Sequence, residues 1–449
     1  MRRFLTWKWL TVAAVAVLAL AALVPVAYLL VERVQSQRTL HTVFAKLDAD
    51  DPGWRLDDIV RDTNARLPPD DRNPFVLAAA ANDLLPIDAD KRFGDFPDRS
   101  KSEPNVMLGP AVKAKLLTAM RGMEPATDAA RDLADLPDVG GNVVVMPPNP
   151  YSRSMQSWEN LRNTAGVLWA DAVLLAEDGK TDEAVRSVRA ALGTARALGD
   201  DPSLVGQTIR IALASSACRA AESVMNLGEP DHGMAELQAE FLREAAVPKL
   251  RVGLHGERGG APQASELFIG PRLFGRTDLA CVLEVLTRYI EATHLPPERQ
   301  AAAFAAVPVP AARDPRYTLT KLMVPAVALV AAAARRNQGE LAAVAVGITC
   351  ERYRRKFGQW PATLDDIPKD ILAAVPTDPG DGKPLKFKRL ADRIVVYSVG
   401  PDGIDHGGDL NDTTPQTQRD WGIRLYDVPH RRQPAPPAPD PLPLPGDAP

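Results

Sequence analysis

No charged residue interrupts the run from Trp9 to Val31, WLTVAAVAVLALAALVPVAYLLV. At ~1.5 Å per residue, ~23 helical residues cross a hydrocarbon core of ~30 Å. Arg2, Arg3 and Lys8 stand before the run. The positive-inside rule keeps such a flank cytoplasmic and sends the chain beyond the run across the membrane. Trp7, Trp9 and Tyr28 fall where interfacial aromatics belong. Ala19-Leu20-Ala21 resembles a signal-peptidase site. The apolar run continues about ten residues past it, longer than a signal peptide's apolar region requires. The sequence therefore predicts a single-pass inner-membrane protein with the lipid bilayer as its first partner. Residues 1–8 are its cytoplasmic flank, 9–31 its uncleaved transmembrane helix, and the bulk is extracytoplasmic. A cleaved signal would leave that bulk on the same side.

The fold class expected beyond the anchor is mainly α. Aromatic residues make up 6% of the chain, and long stretches are rich in Ala and Leu, both strong helix formers. Lys and Arg total 53 against 57 Asp and Glu. That balance argues against a nucleic-acid partner, which needs a concentrated basic surface. Residues 32–150 read as a juxtamembrane helix followed by a Pro-rich irregular region. Leu40, Val43, Phe44 and Leu47 keep the spacing of one helical face, and from Leu67 onward prolines recur beside Asp, Asn and Gly. Residues 151–320 read as a helical domain. Trp158, Leu161, Ala165, Leu168, Trp169 and Ala172 mark one apolar face. Gly179 ends that helix, and Thr181 with Asp182 are placed to cap the next. The hairpin is similar to one tetratricopeptide unit. No second copy occurs at the ~34-residue period, so a plain bundle is the alternative. Within this domain, residues 248–275 carry several Gly and Pro and predict a loop with a short helix. Their glycines fit neither a dinucleotide nor a P-loop pattern.

Residues 321–428 are the most informative. A long helix ends near Gly358, and a short helix begins near Thr363. Leu385–Lys388 and Arg393–Val399 are β-rich runs around a polar link, with one more strand over Trp421–Val428. Between them lies a loop, Gly400–Asp412, dense in Asp and Gly. Tyr353, Gly358, Trp360-Pro361, Leu364, Pro376, Asp378-Pro379, Gly382-Lys383-Pro384, Tyr397-Ser398, Gly400, Asp402-Gly403 and Gly407-Gly408 stand in this order. In these residues the module resembles the head of the major pseudopilin of type II secretion systems. The resemblance implies a small α+β head on a long helix. It also implies calcium in the Asp/Gly loop, with Asp402, Asp405 and Asp409 as candidate ligands and Asp412 beyond them. No prepilin-peptidase site precedes the membrane helix, and about 290 residues separate that helix from the head. The chain as a whole looks like a bacterial membrane-anchored protein carrying this module at its end. Residues 429–449, rich in proline, read as a disordered or polyproline II tail.

No catalytic motif is found. The six histidines include no H-E-x-x-H pair, and no G-x-S-x-G elbow occurs. Ser215-Ser216 reads as helix-facing hydroxyls. Asp365-Asp366 reads as the first turn of a helix, where carboxylates are favoured. Cys218, Cys281 and Cys350 form no C-x-x-C pair and read as buried thiols. The expected function is a non-enzymatic envelope protein for assembly or scaffolding, with envelope or secretion proteins as partners. The alternative is an extracytoplasmic hydrolase or carbohydrate-acting enzyme with an unrecognised carboxylate site.

Overall fold

The computed structural model describes residues 2–436 except 95, 98–102, 137–139, 142–149, 269–274, 312–313, 315, 401 and 411–418. It is mainly helical. The helices are α1 Arg2–Asp50, α2 Leu56–Ala65, α3 Pro74–Asp83, α4 Ala89–Phe93, α5 Pro110–Ala119, α6 Glu124–Arg131, α7 Pro150–Glu177, α8 Thr181–Arg196, α9 Leu204–Leu227, α10 Met234–Ala246, α11 Lys249–Phe268, α12 Gly275–Ala292, α13 Pro297–Ala305 and α14 Thr318–Phe357. Among the described residues there are three strands, β1 Lys386–Arg389, β2 Arg393–Ser398 and β3 Trp421–Tyr426, and a few short 3₁₀ turns. Contacts divide the chain into two compact units. One comprises Met1–Ile59, Leu254–His294 and Ala302–Leu329; the other comprises Val60–Gly253, Leu295–Ala301 and Val330–Pro449.

In the first unit, α1 is one helix from the basic flank through the apolar run and on to Asp50, so the amphipathic stretch after Val31 continues the apolar run without a break. From Val12 to Val31 the described side chains of its apolar run are exposed apart from the partly covered Leu29, whereas Val43 and Leu47 further along are buried. The ring of Phe44 stacks on Trp54 at 5.7 Å. Helix α12 packs on α1. Asp278 of α12 accepts hydrogen bonds from Leu319 N (2.6 Å), Thr320 N (3.0 Å) and Thr320 Oγ1 (2.7 Å). It satisfies first-turn donors of α14 that no residue within α14 could reach. Residues 249–268 overturn the expected loop with a short helix: α11 is a 20-residue helix that runs through its glycines and Pro262. The reason is close approach. A Cβ on Gly259 would lie 2.8 Å from Trp54 O and 2.9 Å from Leu56 N. Glycine costs helix propensity there but lets two backbones touch.

The second unit has one large core and a small satellite cluster around Ala89, Met123 and Val167. The anticipated apolar face of α7 is buried except at Trp169, which is partly covered. Helices α7, α8 and α9 pack against one another, with α3, α6 and α10 around them. Helix α9 closes on both members of the hairpin, so the three helices share one packed interior. The cap expected at Thr181 and Asp182 is absent. Lys180 holds the N-cap position without a side-chain bond. Asp182 instead accepts from Asp231 N and His232 N at 2.7 and 3.0 Å.

The sheet is antiparallel in the order β1-β2-β3. Register pairs Phe387 with Val396 and Val396 with Ile423. Leu341–Cys350 of α14 is wholly buried. A Cβ on Gly347 would come 2.6 Å from Ile423 Cγ2, so the helix needs glycine to lie this close to the sheet. Ile394, Val396, Ile423 and Leu425 belong to the same buried cluster as the bundle helices. Both sheet edges are closed or charged. At β3, Asn226 of α9 accepts from Tyr426 N (2.8 Å) and donates to Arg424 O (2.7 Å). Glu222 accepts from Arg424 N at 3.0 Å. β1 is four residues long and carries Lys386, Lys388 and Arg389. Thr363 and Asp366 form a capping box on a short 3₁₀ turn, so Asp366 has the structural role expected of it.

The segment read as the start of a disordered tail is docked through residue 436. Arg431 is buried and donates twice to Glu351, at 2.8 and 3.1 Å. Arg432, at φ 54°, donates to Ala176 O and Glu177 O at the end of α7 and to Leu227 O at the end of α9. Such terminal carbonyls lack partners within their own helices. Gln433 then bridges Val106. Residues 437–449 lie outside the described residues.

Candidate metal-binding loop

The loop after β2 turns on glycines. Gly403, Gly407 and Gly408 have φ of +67°, +74° and +76°, a region where side chains are disfavoured. Asp402 Oδ1 accepts from Ile404 N at 3.0 Å. Asp405 Oδ1 accepts from Gly407 N at 2.8 Å and from Tyr397 OH at 3.0 Å. Burial and the Asp405 carboxylate push the Tyr397 phenol well up. Asp409 is paired with Arg419. Asp412 lies outside the described residues. The three aspartates thus have three separate partners. Among the described residues, no group of three or more acidic, His or Cys side chains converges as cation ligands would. In this arrangement Asp402, Asp405 and Asp409 each bond separately within the loop and its flanks.

A fourth carboxylate organises the loop. Asp420, only 3% exposed, accepts from Gly408 N at 2.7 Å and His406 N at 3.3 Å. Burial raises its pKa above the usual carboxylate range. His406 stands between two acids, with Nδ1 3.7 Å from Asp420 and Nε2 3.7 Å from Asp402. Asp378, fully buried, anchors the chain before the loop, accepting from Ser398 Oγ at 2.5 Å and Val399 N at 2.9 Å. Sequence reasoning missed Asp420, since RDW before a strand reads as a solvated flank.

Elsewhere, three of the buried acids, Glu244, Glu351 and Asp171, sit in ion pairs, whereas Asp278 and Glu177 accept from backbone amides. Glu244 meets Arg210 at 2.7 Å and Lys249 at 3.0 Å. Burial alone would raise its pKa, but the two cations outweigh burial and hold it at about 2. Glu351 meets Arg431 and Arg354, and Asp171 meets Arg131 at 2.6 Å. A general acid needs a raised pKa and access to substrate; Glu244 has neither. Glu240 is raised by burial, but it is 4% exposed and lies against Arg189 and Arg196. Ser215 donates to Glu340 at 2.8 Å and accepts from Asn337 at 3.0 Å, a helix-to-helix polar contact. Cys218 and Cys350 are buried and free, Cys281 is partly buried and free, and burial pushes all three thiols up. Helices α1 and α14 are both long and apolar enough to cross a membrane; the burial of Leu341–Cys350 makes the second half of α14 a core helix. Comparison of the chain with protein-family models, curated proteins and solved structures returns no match.

Proposed function

We propose that the chain is a non-enzymatic, membrane-anchored envelope protein. Its α1 holds it in the inner membrane with the basic flank in the cytoplasm, and its body outside presents a pseudopilin-like module for assembly or scaffolding. The observation that carries this reading is the C-terminal layer. A long helix lies on a three-stranded antiparallel sheet, with an Asp/Gly loop between the last two strands. Calcium in the loop belongs to the same proposal. It rests on the resemblance and on the density of carboxylates, and it requires Asp409 to leave Arg419. Cross-linking in the native cell, with identification of the captured proteins, tests the role. Secretion or pilus components are expected among them; recovery of the chain alone overturns it. Topology is tested separately. A C-terminal alkaline phosphatase fusion is expected to be active, and an inactive one reverses the orientation.

A further inference from the structure

We infer that the end of the first unit where α12 and α14 begin is a seat for anionic phospholipid headgroups, formed around Arg33 and Arg276 at the mouth of the anchor. The inference rests on reading α1 as a membrane helix, in either orientation. Glu32 is the first charged residue after the apolar run, so it marks headgroup depth. Thr277 of α12 donates to Glu32 at 2.9 Å, and the next residue, Asp278, caps α14. The starts of both helices are therefore pinned at that depth. Just before α14, the Arg316 guanidinium lies 5.4 Å from the centre of the Tyr317 ring. Arg316 is also within electrostatic reach of Tyr28, and Tyr317 of Glu32. Tyrosines and arginines thus gather at one level, as they do at membrane interfaces.

Charge selects the occupant. The three carboxylates at this level are committed within the protein: Glu32 to Thr277, Asp278 to the amides of α14, and Asp314 to Arg316 at 2.7 Å. Arg33 and Arg276 are exposed and have no carboxylate partner among the described residues. Two uncommitted guanidiniums at headgroup depth attract anionic lipid over zwitterionic lipid. Arginine also matches phosphate with paired donors.

The test uses the full chain in nonionic detergent, with thermal unfolding monitored on adding phosphatidylglycerol, phosphatidylcholine or soluble glycerol phosphate. Phosphatidylglycerol is expected to raise the midpoint by several degrees, and the other two are not. Arg276→Gln is expected to lose most of that shift and Arg33→Gln/Arg276→Gln all of it, while both keep the wild-type midpoint without lipid. Equal shifts from the two lipids, an equal shift from glycerol phosphate, or a full shift in the double variant overturns the seat. Alkaline extraction of membranes separates the two levels. Release of the chain removes the anchor and the seat together; retention without lipid preference removes the seat alone.

Discussion

At the scale of single residues, charge is placed inward and paired. Glu244, 1% exposed, serves Arg210 and Lys249 together. Burial lowers the Lys249 pKa even so, which shows how much the site depends on its one acid. Glu244→Gln leaves two buried cations facing a neutral amide and is expected to cost about 3–5 kcal/mol by chemical denaturation. A loss below about 1 kcal/mol, the range of exposed pairs, refutes this. The pH dependence has a definite sign. Glu244 ordinarily titrates at 4.5 and in the fold at about 2. Its contribution is complete above pH 4.5 and is lost as pH falls toward 2, so unfolding midpoints should drop through that window and drop less in Glu244→Gln. In the Asp/Gly loop, calcium has to compete with Arg419 for Asp409. Full-length Arg419→Ala should therefore show a larger calcium-dependent rise in melting temperature than wild type, by mass action; no rise in either at millimolar calcium removes the ion from the proposal. The sequence exposed the aspartates Asp402, Asp405 and Asp409 through their glycines. It hid Asp420 and Arg431, because burial and long-range pairing leave no local pattern.

At the scale of elements, alternation and turn chemistry made the three strands legible, and the apolar run made the start of α1 legible as a helix long enough to cross a membrane. Helix α11 was not legible, because glycine and proline are local signals and the contact that requires Gly259 is a tertiary one. The strand β3 depends on α9 for its outer hydrogen bonds. Asn226→Ala removes both bonds to the edge and is expected to cost about 1–3 kcal/mol, with little change in circular dichroism at 25 °C. The C-terminal clasp gives a sharper contrast. Removing residues 437–449 should leave the midpoint unchanged. Ending the chain before Arg431 leaves Glu351 with Arg354 alone and strips the Arg432 donors from Ala176 O, Glu177 O and Leu227 O, and it should lower the midpoint by about 6 °C, about 3 kcal/mol at the ~2 °C per kcal/mol of a large domain. Equal midpoints for the two truncations would show the clasp to be idle.

At the scale of the whole molecule, the sheet and the bundle of the second unit share one main core. Sheet residues Val396 and Ile423 and bundle residues such as Leu168 and Val224 are parts of the same buried cluster. Tryptophan fluorescence from Trp360 and Trp421 and helical ellipticity should therefore fall together in denaturant, at one midpoint for this unit. Two separated midpoints would divide sheet from bundle. The sequence reads as modules in series, since composition shifts near residues 150 and 320 stand out and shared burial does not.

A shared core also limits inheritance. A pseudopilin head that folds by itself can be exchanged between proteins as a cassette. Here the sheet borrows two side chains from α9 to finish its outermost strand, and α14 lends it a floor that the bundle also uses. The C-terminal segment is therefore not portable. Changes on the inner face of α9 and on β3 have to be matched to each other, so the two should vary as one hereditary unit across the lineage that carries this chain.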